Sequence, residues 1–140
     1  MSKTAVVYWS GTGNTEAMAN AVVKGAKDQG AEVTLFTAGE FDADQVDAFD
    51  VIAFGCPSMG SEELEDSEFE PMFSNVKGRL AGRKIALFGS YGWGDGEWMR
   101  SWEEDCKSCG AVLAADSVIC NDAPDEDAIA QCEALGAALV

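Results

Sequence analysis

Residues 5–15 read Ala5-Val6-Val7-Tyr8-Trp9-Ser10-Gly11-Thr12-Gly13-Asn14-Thr15: a short apolar run followed by a loop of small and polar residues. The run, 5–9, shows no polar alternation, which is how a strand buried on both faces reads. Beyond it, Met18, Ala21, Val22, Gly25 and Ala26 recur at spacings of three and four. That spacing predicts a helix over 15–29, with Gly30 as its stop. The same rhythm repeats along the chain. Apolar runs at 32–36, 51–55, 84–89 and 111–119 predict strands, and periodic stretches at 66–76, 97–108 and 125–139 predict helices. The stretch 38–50 reads as a short helix with loops. Strands alternating with helices imply an α/β fold: a parallel sheet covered on both faces by right-handed crossovers.

At 140 residues the chain is one domain, spanning 1–140, and long enough to bury a core without disulfides. Its composition, 47% hydrophobic and 24% charged, is that of a globular protein. Its 9 Lys+Arg face 25 Asp+Glu, a formal charge of −16. This argues against nucleic acid and anionic membrane surfaces, and favours a partner with a basic docking surface. The chain contains no histidine, which removes Ser-His-Asp triads, Cys-His nucleophiles and His-ligated metals. No apolar run approaches the ~20 residues of a membrane span, and the N-terminus reads as a strand rather than a signal peptide. Five cysteines without framework spacing predict reduced thiols and a cytoplasmic location.

In open parallel sheets ligands bind beyond the carboxyl ends of the strands, so the loops there carry the functional signal. The first, Ser10 to Thr15, offers three hydroxyls, an amide and two glycines ahead of a helix N-terminus. That is an anion cradle, best suited to a phosphate. It is not a nucleoside-triphosphate loop, because G-x-x-x-x-G-K-[ST] is absent and no Lys or Arg lies between Thr4 and Val23. Glu16 stands where the dinucleotide fingerprint needs its last glycine. Neutral donors alone fit a monophosphate bound without metal. The second loop is Cys56-Pro57-Ser58-Met59-Gly60-Ser61-Glu62, and the third is Ser90-Tyr91-Gly92-Trp93-Gly94-Asp95-Gly96-Glu97-Trp98. Trp93 between two glycines is a poor core residue and a good stacking surface for a flat aromatic ligand. Met59 is a polarizable counterpart for the other face.

With these three loops in this order, the whole chain resembles the short-chain flavodoxins of anaerobic bacteria. The resemblance implies a three-layer sandwich with a five-stranded parallel sheet of order 2-1-3-4-5 and helices on both faces. Flavodoxin is itself a standard example of that order with FMN at the switch point, so the placement comes with the resemblance. Ser10, Gly11, Thr12, Gly13, Asn14 and Thr15 would then hold the FMN phosphate. Pro57, Ser58, Met59, Gly60, Ser61 and Glu62 would form the inner wall, with Met59 on one flavin face and Glu62 accepting from N3. Ser90, Tyr91, Gly92, Trp93 and Gly94 would form the outer wall, with Trp93 stacked on the flavin and the Gly92 and Gly94 amides at its N1/O2 edge. Ser90 and Asn121 match positions near the ribityl chain. Ser58, often Ala in relatives, and Ser61, often acidic, depart from the commonest pattern.

The function implied is that of a low-potential one-electron carrier with non-covalent FMN, and not that of an enzyme. It would shuttle between semiquinone and hydroquinone and serve larger redox enzymes in place of ferredoxin. Its partners would be flavin reductases, 2-oxoacid oxidoreductases and hydrogenase-type enzymes, and it would act as a monomer. The alternative of the same fold is an FMN-dependent NAD(P)H:quinone or iron reductase. Cys106-x-x-Cys109 falls at the end of a predicted helix rather than at its N-terminus, which favours a structural role over a redox one. The acidic run Glu62, Glu63, Glu65, Asp66, Glu68, Glu70 reads either as a solvated face or as a feature bordering the flavin.

Overall fold

The computed structural model describes residues 3–11, 13–59, 63–92 and 96–140. In chain order the elements are β1 (Lys3–Tyr8), α1 (Asn14–Asp28), β2 (Glu32–Thr37), β3 (Val51–Gly55), α2 (Phe69–Val76), β4 (Lys84–Tyr91), α3 (Glu97–Ser108), β5 (Val112–Leu113), β6 (Val118–Asn121) and α4 (Glu126–Ala138). All strand pairs named here are parallel and the sheet order is β2-β1-β3-β4-β5, with β6 also paired to β4. The predicted strand 111–119 is therefore two short strands along one edge of β4. Leu113 lies opposite Ile85 and Val118 opposite Phe88, so five steps of chain cover three steps of partner. Ala114 N–H still donates to Ile85 O at 2.8 Å, the two surplus residues leave 115–117 outside the ladder, and the Ser117 hydroxyl donates to Glu103 at 2.6 Å. Two 3-10 helices, Ala38–Glu40 and Ala43–Ala48, occupy the predicted 38–50 stretch.

The central strands β1, β3 and β4 are buried almost throughout, while the edge strand β2 is half-open. Successive strand residues alternate between two cores. Ala5, Val7, Ile52, Phe54, Ile85 and Leu87 face α2 and α3, against Phe69, Phe73, Trp98 and Trp102. Val6, Tyr8, Ala53, Ala86 and Phe88 face α1 and α4, against Met18, Val22, Cys132 and Leu135. The two helices of the second layer touch backbone to backbone. A Cβ on Gly25 would stand 1.9 Å from the Glu133 carbonyl oxygen, and one on Gly136 would stand 2.0 Å from that of Val22. Among the described residues no helix is long and apolar enough to cross a membrane.

Candidate functional site

The sheet ladder runs past the strand ends: Trp9 N–H donates to Gly55 O at 3.0 Å, Cys56 N–H to Phe88 O at 3.1 Å, and Ser58 N–H to Ser90 O at 3.0 Å. These bonds bring the ends of β1, β3 and β4, and the loops that follow them, side by side at one pole. Gly89 permits this, because a Cβ there would stand 2.2 Å from the Cys56 carbonyl oxygen. The Trp98 indole N–H donates to that same oxygen at 3.2 Å, tying the start of α3 to the exit of β3.

A cleft of about 210 Å³ opens between these loops, lined by Trp9, Gly11, Asn14, Pro57, Ser58, Met59, Ser90, Tyr91, Gly92 and Asp122. A larger concavity of about 820 Å³ lies at the opposite pole, around Asp50, Arg83, Lys84 and Leu139. The smaller one is the functional candidate, because it alone sits beyond the carboxyl ends of the strands at the switch between β1 and β3. Gly13 begins α1 in the left-handed region (φ 92) and its N–H donates to Ser10 Oγ at 3.0 Å. The first-turn N–H groups that follow have no carbonyl to reach within the helix, so they are available to an anion. The Thr15 and Ser90 hydroxyls are both buried and lie 3.3 Å apart, linking the first loop to the third. Met59 and Glu63 exchange backbone hydrogen bonds at 2.8 and 2.9 Å, closing the base of the second loop. Met59 is one of the few large apolar side chains left exposed, at 38%.

Of the residues singled out from the sequence, Gly11, Asn14, Pro57, Ser58, Met59, Ser90, Tyr91 and Gly92 line the cleft directly. Ser10, Gly13 and Thr15 belong to the same first loop and helix start as Gly11 and Asn14 but do not line the cleft. Asn121 ends β6 opposite Tyr91, and lines a neighbouring hollow rather than the cleft. Thr12, Gly60, Ser61, Glu62, Trp93 and Gly94 lie outside the described residues. Two lining residues had escaped the sequence reading. Trp9 directly precedes the cradle, and its ring would contact a Cβ on Gly11 at 3.0 Å. Asp122 follows Asn121 in a left-handed backbone conformation that no local motif announces.

The acidic run is not uniform. Glu63, Asp66, Glu68 and Glu70 are exposed, but Glu65 is buried. Its carboxylate accepts from the backbone N–H groups of Ser67, Glu68 and Phe69 at 2.9, 2.7 and 2.9 Å and from the Ser67 hydroxyl. Burial pushes this carboxyl up, but the hydrogen bonds from Ser67, Phe69 and Glu68 outweigh it and hold the group below its usual range. By capping the turn 66–68, Glu65 delays the start of α2 to Phe69. Its own N–H meets the Cys56 thiol at 3.3 Å, and burial pushes that thiol up to about 12. Cys106 and Cys109 sit at the last turn of α3, where the Cys109 thiol donates to the Cys106 carbonyl at 3.1 Å. All five cysteines are free, and burial, the largest cause, raises Cys106 to about 12.

The residues present suit a flat aromatic monophosphate. Trp9, Pro57, Met59 and Tyr91 offer apolar walls, and the cradle offers neutral donors at a helix N-terminus. Comparison with known proteins agrees. The flavodoxin family model matches residues 6–136. The chain is 47% identical to the flavodoxin of Megasphaera elsdenii over 95% of each chain. It is 45% identical to that of Clostridium beijerinckii over 86% of this chain and 88% of that one. The solution structure of two-electron reduced Megasphaera elsdenii flavodoxin superposes with a TM-score of 0.90 over 97% of each chain. The chain belongs to the flavodoxin family, whose members are FMN-binding electron-transfer proteins rather than enzymes.

Proposed function

We propose that this chain holds FMN in the cleft at the ends of β1, β3 and β4 and serves as a low-potential carrier in place of ferredoxin. The observation that supports this most directly is a cation-free anion cradle opening onto an apolar cleft. Ser10, Gly11, Thr12, Gly13, Asn14 and Thr15 would receive the phosphate through N–H and hydroxyl donors. Pro57 to Glu62 and Ser90 to Gly94 would flank the isoalloxazine, with Met59 and Trp93 on its two faces. Asn121 would stand by the ribityl side. When bound, FMN supplies the one-electron chemistry. The protein orients it, excludes water from one side and surrounds it with negative charge.

That charge also points to the partners. Lys3, Lys27, Lys77, Arg79, Arg83, Lys84 and Lys107 all lie at strand beginnings or helix ends, at the pole away from the cleft. The cleft pole carries carboxylates such as Glu63, Asp66, Asp122 and Asp125, with Arg100 in the first turn of α3 among them. A redox enzyme with a basic docking surface, of the flavin reductase, 2-oxoacid oxidoreductase or hydrogenase type, would be steered to that pole. The carrier works as a cytoplasmic monomer, where its free thiols stay reduced.

The test is a titration of the apoprotein with FMN and with riboflavin, followed by visible spectra. Binding of FMN much tighter than riboflavin is expected from the cradle. Equal affinities would remove the phosphate site. Rapid NAD(P)H oxidation without a reductase would favour the reductase alternative instead.

A further inference from the structure

We infer that Trp98 is a positioning residue for the cofactor: its indole N–H holds the second and third loops at the fixed separation that admits a flat ring. The inference rests on the reading that FMN occupies this cleft. Trp98 ends the third loop as the second residue of α3, and it is 2% exposed. It is not among the residues that line the cleft. Its Nε1–H donates to the Cys56 carbonyl at 3.2 Å, and its ring lies against that of Tyr91 with centroids 5.4 Å apart. Pro57 and Ser58, which follow Cys56 in the second loop, line the cleft together with Tyr91 and Gly92 of the third.

Proline has no N–H, so the Cys56–Pro57 peptide that leads into the second loop has only its carbonyl by which to be held. Cys56 N–H donates to Phe88 O at 3.1 Å, which fixes the residue in the ladder but not the direction in which the loop leaves it. The indole of Trp98 arrives at the carbonyl that sets this direction. A Cβ on Gly89 would stand 2.2 Å from that oxygen and 3.3 Å from the Trp98 ring, so glycine there leaves room for the approach. One side chain thereby joins the end of the third loop to the start of the second, and the cleft is formed before a ligand enters. Walls ordered in advance spare the ligand the cost of ordering them. A Trp that only filled the core between α3 and the sheet would lower the stability of the apoprotein and leave the affinity of the folded protein unchanged, so the two roles separate.

Trp98→Phe, which keeps an aromatic ring and removes the donor, is compared with the parent apoprotein. FMN and riboflavin affinities are measured by fluorescence titration without denaturant, FMN release by stopped flow, and stability by urea unfolding of the apoprotein. Both flavins are expected to bind about three- to tenfold more weakly and by the same factor, because the ring and not the phosphate meets the loosened loops. FMN should leave correspondingly faster. Affinities at parental values, with or without a loss of stability, would overturn the inference. A loss confined to FMN would overturn it too, since the effect would then lie at the phosphate cradle. Hydrogen exchange in the parent protein decides the matter should the Phe variant not fold. The Trp98 indole N–H of the apoprotein is expected to be as well protected as the amides of β3 and β4 before any flavin is added. Exchange at the rate of an exposed indole would overturn the inference. A parent protein that binds neither flavin would overturn both this inference and the reading beneath it.

Discussion

The hydroxyls of Thr15 and Ser90 lie 3.3 Å apart and buried, joining the first turn of α1 to the end of β4 across 75 residues of sequence. Each is the other's hydrogen-bond partner, and removing one strands the other without water to replace it. Thr15→Val, close in shape, is expected to destabilise the fold by about 1–3 kcal/mol. Combined with Ser90→Ala, the loss should be smaller than the sum of the two single losses. Urea denaturation of the three variants measures the coupling, and strict additivity would show that the two hydroxyls act independently.

Trp93 lies outside the described residues, and its assignment rests on a large aromatic flanked by two glycines in the third loop. Trp93→Ala should weaken FMN binding by a few kcal/mol, the scale of losing a buried aromatic contact, with the fold retained. Fluorescence titration of the apoprotein reads the affinity and circular dichroism reads the fold. Unchanged affinity would remove the stacking role.

Two glycines of the site should fail for different reasons. At Gly13 a Cβ meets open space, but φ is 92, so Gly13→Ala carries backbone strain of about 1–2 kcal/mol. That variant should fold and bind the phosphate end of FMN less well. At Gly89 the obstacle is the Cys56 carbonyl oxygen 2.2 Å away, a backbone atom between two buried strands. Gly89→Ala should therefore cost at least as much as ordinary overpacking, ~3 kcal/mol or more, and broaden the unfolding transition. Thermal melts with and without FMN distinguish the two, since a given FMN concentration should stabilise Gly13→Ala by less than it stabilises the parent.

Glu65 makes stability depend on pH in a predictable direction. Its carboxyl is held below its ordinary value of 4.5 in the folded protein, so the ionised form is the one folding favours. The stabilisation is therefore present above pH ~4.5 and is lost as pH falls through the lower folded value. Glu65→Gln should reduce stability at neutral pH and flatten the acid limb of the stability curve. Unfolding free energies measured from pH 7 down to pH 3 test this, and parallel curves for the two proteins would exclude Glu65 as a contributor.

Much of this architecture is legible in local sequence. The strand at 51–55 and the helix at 97–108 have the bounds that their apolar runs and periodicity predict, because their boundaries are set by nearby residues. The cradle is legible for the same reason: strand end, small polar loop and helix start are contiguous, and their chemistry follows from backbone donors within six residues. The sheet order and the cofactor came from resemblance, carried by three motifs and not by any one.

Other features depended on partners distant in sequence. Whether 111–119 forms one strand or two depends on the spacing of β4, which lies more than twenty residues earlier and sets the register. Glu65 reads like its acidic neighbours, and only the packing of the second loop against Cys56 and α2 turns it inward to cap three backbone N–H groups. Trp9 and Asp122 became cleft residues when the ladder brought the ends of β1, β4 and β6 to one pole. Sequence by itself determined the elements and the first loop, because hydrogen bonding within a helix or turn is local. Tertiary structure alone decided which polar groups are buried and which carboxylate lines the cleft, because burial and distance belong to pairs of segments that the chain brings together only on folding.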